Sequence, residues 1–414
     1  MTAATPATDP AADGGEQLIS MVLENARAAV SKLAGLRRDF DGAHRLAHQA
    51  EVREALTRSE LTVALNETLA ARAELEGRLR EQALAGYLAR GGPIRLRRHN
   101  RISQALDRLL VRLGSFGQAL VIARSGVWRG TGRPLHDLRH MAAYARRGAN
   151  PQVVPPTLFD QAWRLAHSPD LAAGRMAPLV HYLIAGAREG RDPHPLFDET
   201  WYGRENAHEL AATSVSGLEH YIRAGAARGR NPHPLFDMAH YLAQGPALAS
   251  GEDPLSHYLR EGGRLGLSPH PLFDPAWYGE QAPKAVGTPG LIHYLTVGWR
   301  AGLTPHPLFN PQWYLAQHPQ VAELGVEPLT HFVSRGAFEL LSPSPWFDLP
   351  QYMAVRGASL APGVNPLVDY LQGGAWSGAA SRPGFPTAAY LASRPELARS
   401  GLTPLEHWAR RGGR

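Results

Sequence analysis

One phrase returns seven times in this 414-residue chain, and its period constrains the fold more than any single residue does. Its most legible copy reads Pro269-His270-Pro271-Leu272-Phe273-Asp274-Pro275-Ala276-Trp277-Tyr278, followed by a loop, then Leu291-Ile292-His293-Tyr294-Leu295 and Gly298. The anchoring phenylalanine recurs at Phe159, Phe197, Phe236, Phe273, Phe309, Phe347 and Phe385, in steps of 38, 39, 37, 36, 38 and 38 residues. A period in this range marks a stacked repeat protein, in which each unit completes its core on its neighbours.

The unit has a physical grammar. Asp274 is a carboxylate N-cap, and Pro275 behind it takes the first helical position, where a missing N–H does no harm. Asp160, Asp198, Asp237, Asn310 and Asp348 hold the same place, so each copy is expected to open a short helix there. Aromatic pairs follow at Trp201-Tyr202, Trp277-Tyr278 and Trp313-Tyr314, with both rings expected in the core. A second helix opens at Asp253-Pro254, Glu327-Pro328, Asn365-Pro366 and Thr403-Pro404, where Glu406 completes a capping box. Gly186, Gly225, Gly262, Gly298, Gly336, Gly374 and Gly412 stand where a left-handed C-terminal cap is expected, ahead of an extended Pro-His-Pro linker. Helices of about ten residues are marginal alone in water. The units over residues 151–414 are therefore expected to share one continuous interior.

The front third has a different pattern. Residues 1–15 are rich in Ala, Pro, Asp and Gly and are expected to be disordered, without a signal peptide. Residues 16–90 read as one long helix. Val22, Ala26, Ala29, Leu33, Leu36, Phe40, Ala43, Ala47 and Ala50 alternate steps of four and three, the spacing of a coiled-coil seam. Beyond Ala50 the seam blurs into a rough stripe of Leu61, Leu65, Leu69, Leu75 and Leu79. This helix is expected to join copies of the chain into a homo-oligomer; a hairpin folded back on its own chain is the alternative.

Residues 91–150 read as a basic amphipathic connector. Ile102, Leu106, Leu109, Leu110, Leu113, Phe116, Leu120 and Val121 fall on one face of a continuous helix, and Arg95, Arg97, Arg98, Arg101, Arg108, Arg112 and Trp128 are candidate contacts to an anionic membrane surface. The competing reading is a partly buried helix joining stalk to repeats, its arginines solvated or paired. The net charge is +6, but Arg90 to Arg147 hold 13 arginines against Asp107 and Asp137, so the basic character is regional. Nucleic acid is not an expected partner, because no base-stacking platform accompanies the charge.

Catalytic signatures are missing from the sequence. It has no cysteine, no phosphate-binding loop, no Gly-x-Ser-x-Gly elbow, no His-Glu-x-x-His and no dinucleotide fingerprint. Asp39-Phe40-Asp41 fits the Asp-x-Asp pattern of sugar-nucleotide transferases, yet it sits mid-helix with Phe40 on the seam. Ten of the 19 histidines fall in two repeat columns: His194, His233, His270 and His306 in the linkers, and His181, His220, His257, His293, His331 and His407 in the second helices. One histidine per unit makes a row, whereas zinc needs three or four ligands converging on a point, so packing and capping are the expected roles. No cofactor, metal or catalytic residue is expected. Trp201, Trp277 and Trp313 are candidate glycan contacts, with core packing as the alternative.

The phrases His-Pro-Leu-Phe-Asp-Pro-Ala-Trp-Tyr and Pro-Leu-x-His-Tyr-Leu-x-x-Gly resemble the short helical repeats attached to bacterial glycosyltransferases of surface-polysaccharide assembly. The resemblance covers residues 155–414, and the rest of the chain leaves no room for a transferase domain. It implies a shared pathway with no catalytic residue carried over. The resulting expectation is an all-α protein: a coiled-coil-like helix followed by a seven-unit, two-helix, solenoid-like array. It would act as a cytoplasmic scaffold for protein partners, including glycan-assembly enzymes, with the inner face of the cell membrane as a further location. The alternatives are a transferase-related or glycan-binding protein with its site between repeats, and a membrane adaptor working through residues 95–128.

Overall fold

The computed structural model describes residues 10–90 and 101–412, apart from 172–173, 175, 214, 284–286, 378–380 and 395. Among them the fold is all-α, with helices and turns and no strand. Four helices precede the repeats: α1 (Pro10–Ala89), α2 (Arg101–Val111), α3 (Gly114–Ser125) and α4 (Pro134–Arg147). Helix α1 starts at Pro10, and the first nine residues of the segment expected to be disordered, 1–9, lie outside the described residues.

The chain divides into two bodies, residues 1–65 and 66–414. In the first, the seam residues of α1 are solvent-exposed, with Leu33 at 65% and Phe40 at 72% of full exposure. In the second, the last turns of α1 lie along the repeat array. Leu69 is buried there, and Ala73, Gly77, Arg80, Leu84 and Leu88 are half-buried, one heptad-like stripe in contact with the units. A side chain at Gly373, in the sixth unit, would meet Ala73 at 3.4 Å, and one at Gly229, in the second, would meet Leu84 at 3.4 Å. The stripe expected from Leu75 and Leu79 is not used, since both are exposed. Small residues at 73 and 77 let the helix approach closely where leucines would hold it off.

Each unit is built as its caps dictate. The side chains of Asp160, Asp198, Asp237, Asn310 and Asp348 accept from the backbone N–H three residues on, at 2.8–3.0 Å, and Asp274 accepts from those of both Ala276 and Trp277. The Thr403–Glu406 capping box forms as expected. In the first five units the second helix begins as one α turn and continues as a π turn, as in Pro254–His257 followed by Tyr258–Gly262.

The glycines at the ends of those π turns correct the sequence reading. Gly225 has φ −60°, and the chain passes through Gly186, Gly262, Gly298 and Gly336 without reaching positive φ. The left-handed residue comes four positions later, at Gly190, Gly229, Gly266, Gly302 and, in the fifth unit, Leu340. Only Gly412, in the seventh unit, takes the left-handed conformation expected of its column.

Units are joined by a backbone ladder. The N–H of each capping residue donates to the carbonyl of the next linker: Asp160 to Pro193, Asp198 to Pro232, Asp237 to Pro269, Asp274 to Pro305, Asn310 to Pro343 and Asp348 to Ser381, at 2.8–3.2 Å. Contacts also recur three units along. Arg410 of the seventh unit pairs with Asp274 of the fourth, and Arg129, just before α4, pairs with Asp253 and Ser256 of the third. The array therefore winds into a tight spiral, its linkers directed inward. Helix α4 supplies the start of that spiral, because Tyr144 accepts from the N–H of Leu179 at 3.2 Å, just as Tyr182 accepts from that of Leu218 at 3.4 Å one unit on.

Candidate functional site

The recurring aromatic and imidazole side chains are built into the interior. In the second unit Phe197, Tyr202 and Tyr221 form a ring cluster with centroids 5.1–6.1 Å apart, and the same trio recurs as Phe273, Tyr278 and Tyr294. The first tyrosine of each trio reaches the second-helix histidine. Its hydroxyl lies 2.7 Å from Nδ1 in Tyr202–His220, 2.6 Å in Tyr241–His257 and Tyr278–His293, 2.9 Å in Tyr314–His331 and 2.7 Å in Tyr390–His407. Where Asp369 replaces histidine, Tyr352 donates to its carboxylate at 2.5 Å. The column keeps a hydrogen-bond acceptor whichever residue fills it, which is a packing role.

The linker histidines do a second structural job. Nδ1 of His194, His233, His270 and His306 accepts from the backbone N–H two residues on, at 2.9–3.1 Å, tying the Pro-His-Pro-Leu turn. All four are buried along the inside of the spiral. Burial pulls the affinity of three of them for protons down, to a pKa of about 4 at His194 and about 3 at His233 and His270. These three are neutral in the folded chain at physiological pH, while Nε2 of His306 lies 3.1 Å from the Glu406 carboxylate. Among the described residues no group of His, Asp and Glu is placed to hold a metal ion.

The first unit breaks the pattern. Arg164 takes the place of the first tyrosine and is 3% exposed, with Nε and one terminal nitrogen unpartnered; His181 Nδ1 is likewise unpartnered. Burial lowers the proton affinity of both groups.

Two cavities lie near the start of the array. One, of about 90 Å³, lies between α2, α3 and the first two units and is lined by Asp107, Glu199 and Glu219. These carboxylates are spoken for: Arg124 pairs with Asp107 at 2.9 Å and Arg223 with Glu219 at 3.0 Å, while Glu199 accepts from Tyr182 at 2.5 Å and from the N–H of Gly217 at 2.7 Å. Burial lifts the Glu199 carboxyl to a pKa of about 7. The other, an open hollow of about 340 Å³, is lined by Trp128, His136, His140, Arg147 and Pro155.

The candidate contacts separate in space and in role. Trp201, Trp277 and Trp313 are half-buried, while their partners Tyr202, Tyr278 and Tyr314 are fully buried, so only one ring of each pair is in the core. Trp277 donates to the Thr304 hydroxyl at 2.8 Å and lies beneath the Arg410 guanidinium. Trp128 packs on Tyr144, 5.7 Å between centroids, and belongs to the head of the array. Arg95, Arg97 and Arg98 and the side chain of Arg101 lie outside the described residues; Arg108 and Arg112 are exposed.

The single amphipathic helix expected over 101–121 is instead a hairpin of α2 and α3. At Gly117 the two helices meet so closely that a Cβ would lie 1.8 Å from the Leu110 carbonyl oxygen. The bend divides the apolar face: Val121 and Ile122 are buried against the array, while Leu106, Leu109, Leu113 and Phe116 stay in solvent. No helix among the described residues is long and apolar enough to cross a membrane. Comparison with known proteins gives no relative: no family model matches the chain, and neither does any curated protein or solved structure.

Proposed function

We propose that this chain is a non-enzymatic, self-associating scaffold whose repeat array serves as a platform for protein partners. The observation that carries the reading is a division of labour between two kinds of residue. The tyrosine–histidine pairs that recur with the repeat bond to each other inside the array, as Tyr241–His257 at 2.6 Å illustrates, whereas the heptad seam of α1 from Val22 to Ala50 is exposed in a single chain. A run of four heptads of apolar residues in water is a surface that another copy can cover.

The resemblance of the repeat phrases supports placing this scaffold in cell-envelope glycan assembly. A scaffold there would hold partner enzymes and leave the chemistry to them. Incubation of the purified chain with nucleotide-sugar donors tests this reading. The donors remain intact under it, and release of nucleotide or transfer of sugar to an acceptor would contradict it.

A further inference from the structure

The α2–α3 hairpin carries an apolar tip that the array does not cover. Leu109, Leu113 and Phe116 are 57%, 63% and 56% exposed, and Leu106 extends the patch along α2. The chain bends between them at Gly114, which takes φ +73°, so the end of α2 and the start of α3 share one projecting turn. An apolar cluster of this size on a tight turn marks an interaction surface.

Its charge says what kind of surface would cover it. Arg108 and Arg112 stand exposed beside the leucines. Between Gly91 and Phe116 the sole acidic residue is Asp107, which is buried and paired with Arg124 at 2.9 Å. The patch thus offers apolar side chains beside two exposed cations, Arg108 and Arg112, and no residue of α2 or of the turn up to Phe116 is an exposed anion. That combination suits a bilayer with anionic headgroups, where the side chains enter the acyl boundary and the guanidinium groups stay among the phosphates. A protein groove would have to be apolar and acidic together to match it.

We propose that the tip of the α2–α3 hairpin is a membrane-docking element for anionic lipid bilayers. It would place the array at a membrane surface without a spanning segment. Exposed apolar residues alone give weak and reversible attachment, and the flanking arginines supply the second signal that stable attachment needs.

Flotation of the full-length protein with vesicles tests this, comparing phosphatidylcholine alone with phosphatidylcholine containing phosphatidylserine. The chain is expected to float with the anionic vesicles only, and to be released by salt. Arg108→Gln with Arg112→Gln should lower the partition about 30-fold, the conversion of ~1 kcal/mol for each basic residue near the headgroups. Leu109→Ser with Leu113→Ser and Phe116→Ser should abolish flotation while circular dichroism stays unchanged, because each of these side chains is more than half exposed. Equal recovery with neutral and anionic vesicles, or flotation of the serine variant at the wild-type level, would overturn the proposal. Failure of the wild type to float at all would do the same, and would assign the patch to a protein partner.

Discussion

The Tyr278 hydroxyl lies 2.0 Å from the point where a side chain on Gly298 would begin. The same closeness recurs at Tyr202 over Gly225, Tyr241 over Gly262 and Tyr314 over Gly336. Glycine is required there by the approach of a tyrosine and not by its own backbone angle. Each tyrosine is held in turn by its hydrogen bond to the histidine five residues before that glycine.

Gly298→Ala should therefore be destabilising. The new methyl must displace the Tyr278 ring and break its 2.6 Å contact with His293. Overpacking of ~1–3 kcal/mol and a lost hydrogen bond of ~1 kcal/mol set the scale, read by urea denaturation. Gly279→Ala is the control, because a Cβ there meets nothing within 4 Å and alanine favours a helix. If both variants lose stability equally, the close approach is not what selects glycine at 298.

Arg164→Tyr should be stabilising. It restores the side chain that the other six units carry, gives His181 Nδ1 a donor and removes a buried cation with unpartnered nitrogens. A gain of ~1–3 kcal/mol is expected from satisfying buried polar groups, seen as a higher midpoint of thermal unfolding. A lower midpoint would mean that the bond from the third guanidinium nitrogen to the Asp192 carbonyl, 3.4 Å, outweighs the gain from tyrosine.

Acid should weaken the array before it affects α1. His194, His233 and His270 have folded pKa values of about 4, 3 and 3, below the ~6.5 of an unfolded histidine. A depressed folded pKa gives stability that is complete above the unfolded value and is lost as pH falls from there toward the folded value. Each histidine contributes about 1.4 kcal/mol per pH unit across that window. Asp192 and Glu199 act in the opposite sense, since their folded pKa values of about 7 favour folding as pH drops from 7 toward 4.5. The net fall should thus steepen below about pH 4.5, where the Glu199 carboxyl no longer offsets the histidines. Urea midpoints at successive pH values measure this; a midpoint that rises steadily down to pH 4 would show that the linker histidines are not buried neutral.

Much of this architecture is legible in the sequence because its causes are local. Asp274 before Pro275, and Thr403 three residues before Glu406, specify helix starts through atoms within one turn of each other. The histidine columns read as structural for the same reason, since a once-per-unit row cannot converge on a metal. What stayed hidden depends on contacts between distant residues. A glycine ending a helix and a glycine under a tyrosine look alike in one strand of text. The clue was the second glycine four residues on, as in Gly298 and Gly302, of which only the later takes positive φ. Likewise nothing in α2 announces the turn at Gly114, because the close contact that fixes it, Gly117 on Leu110, joins two helices. Leu75 and Leu79 were the larger residues, yet Ala73 and Gly77 face the array, where closeness counts for more than bulk. The recurrence of contacts three units apart leaves no trace in a 38-residue period.

Self-association through α1 is tested most directly by sedimentation equilibrium of the full-length protein alongside a Leu33→Asp, Phe40→Asp variant. The wild type is expected at a whole-number multiple of the chain mass, and the variant at the mass of one chain with its array still folded. A wild-type protein that sediments as one chain at every concentration, or a variant that keeps the wild-type mass, would contradict the account.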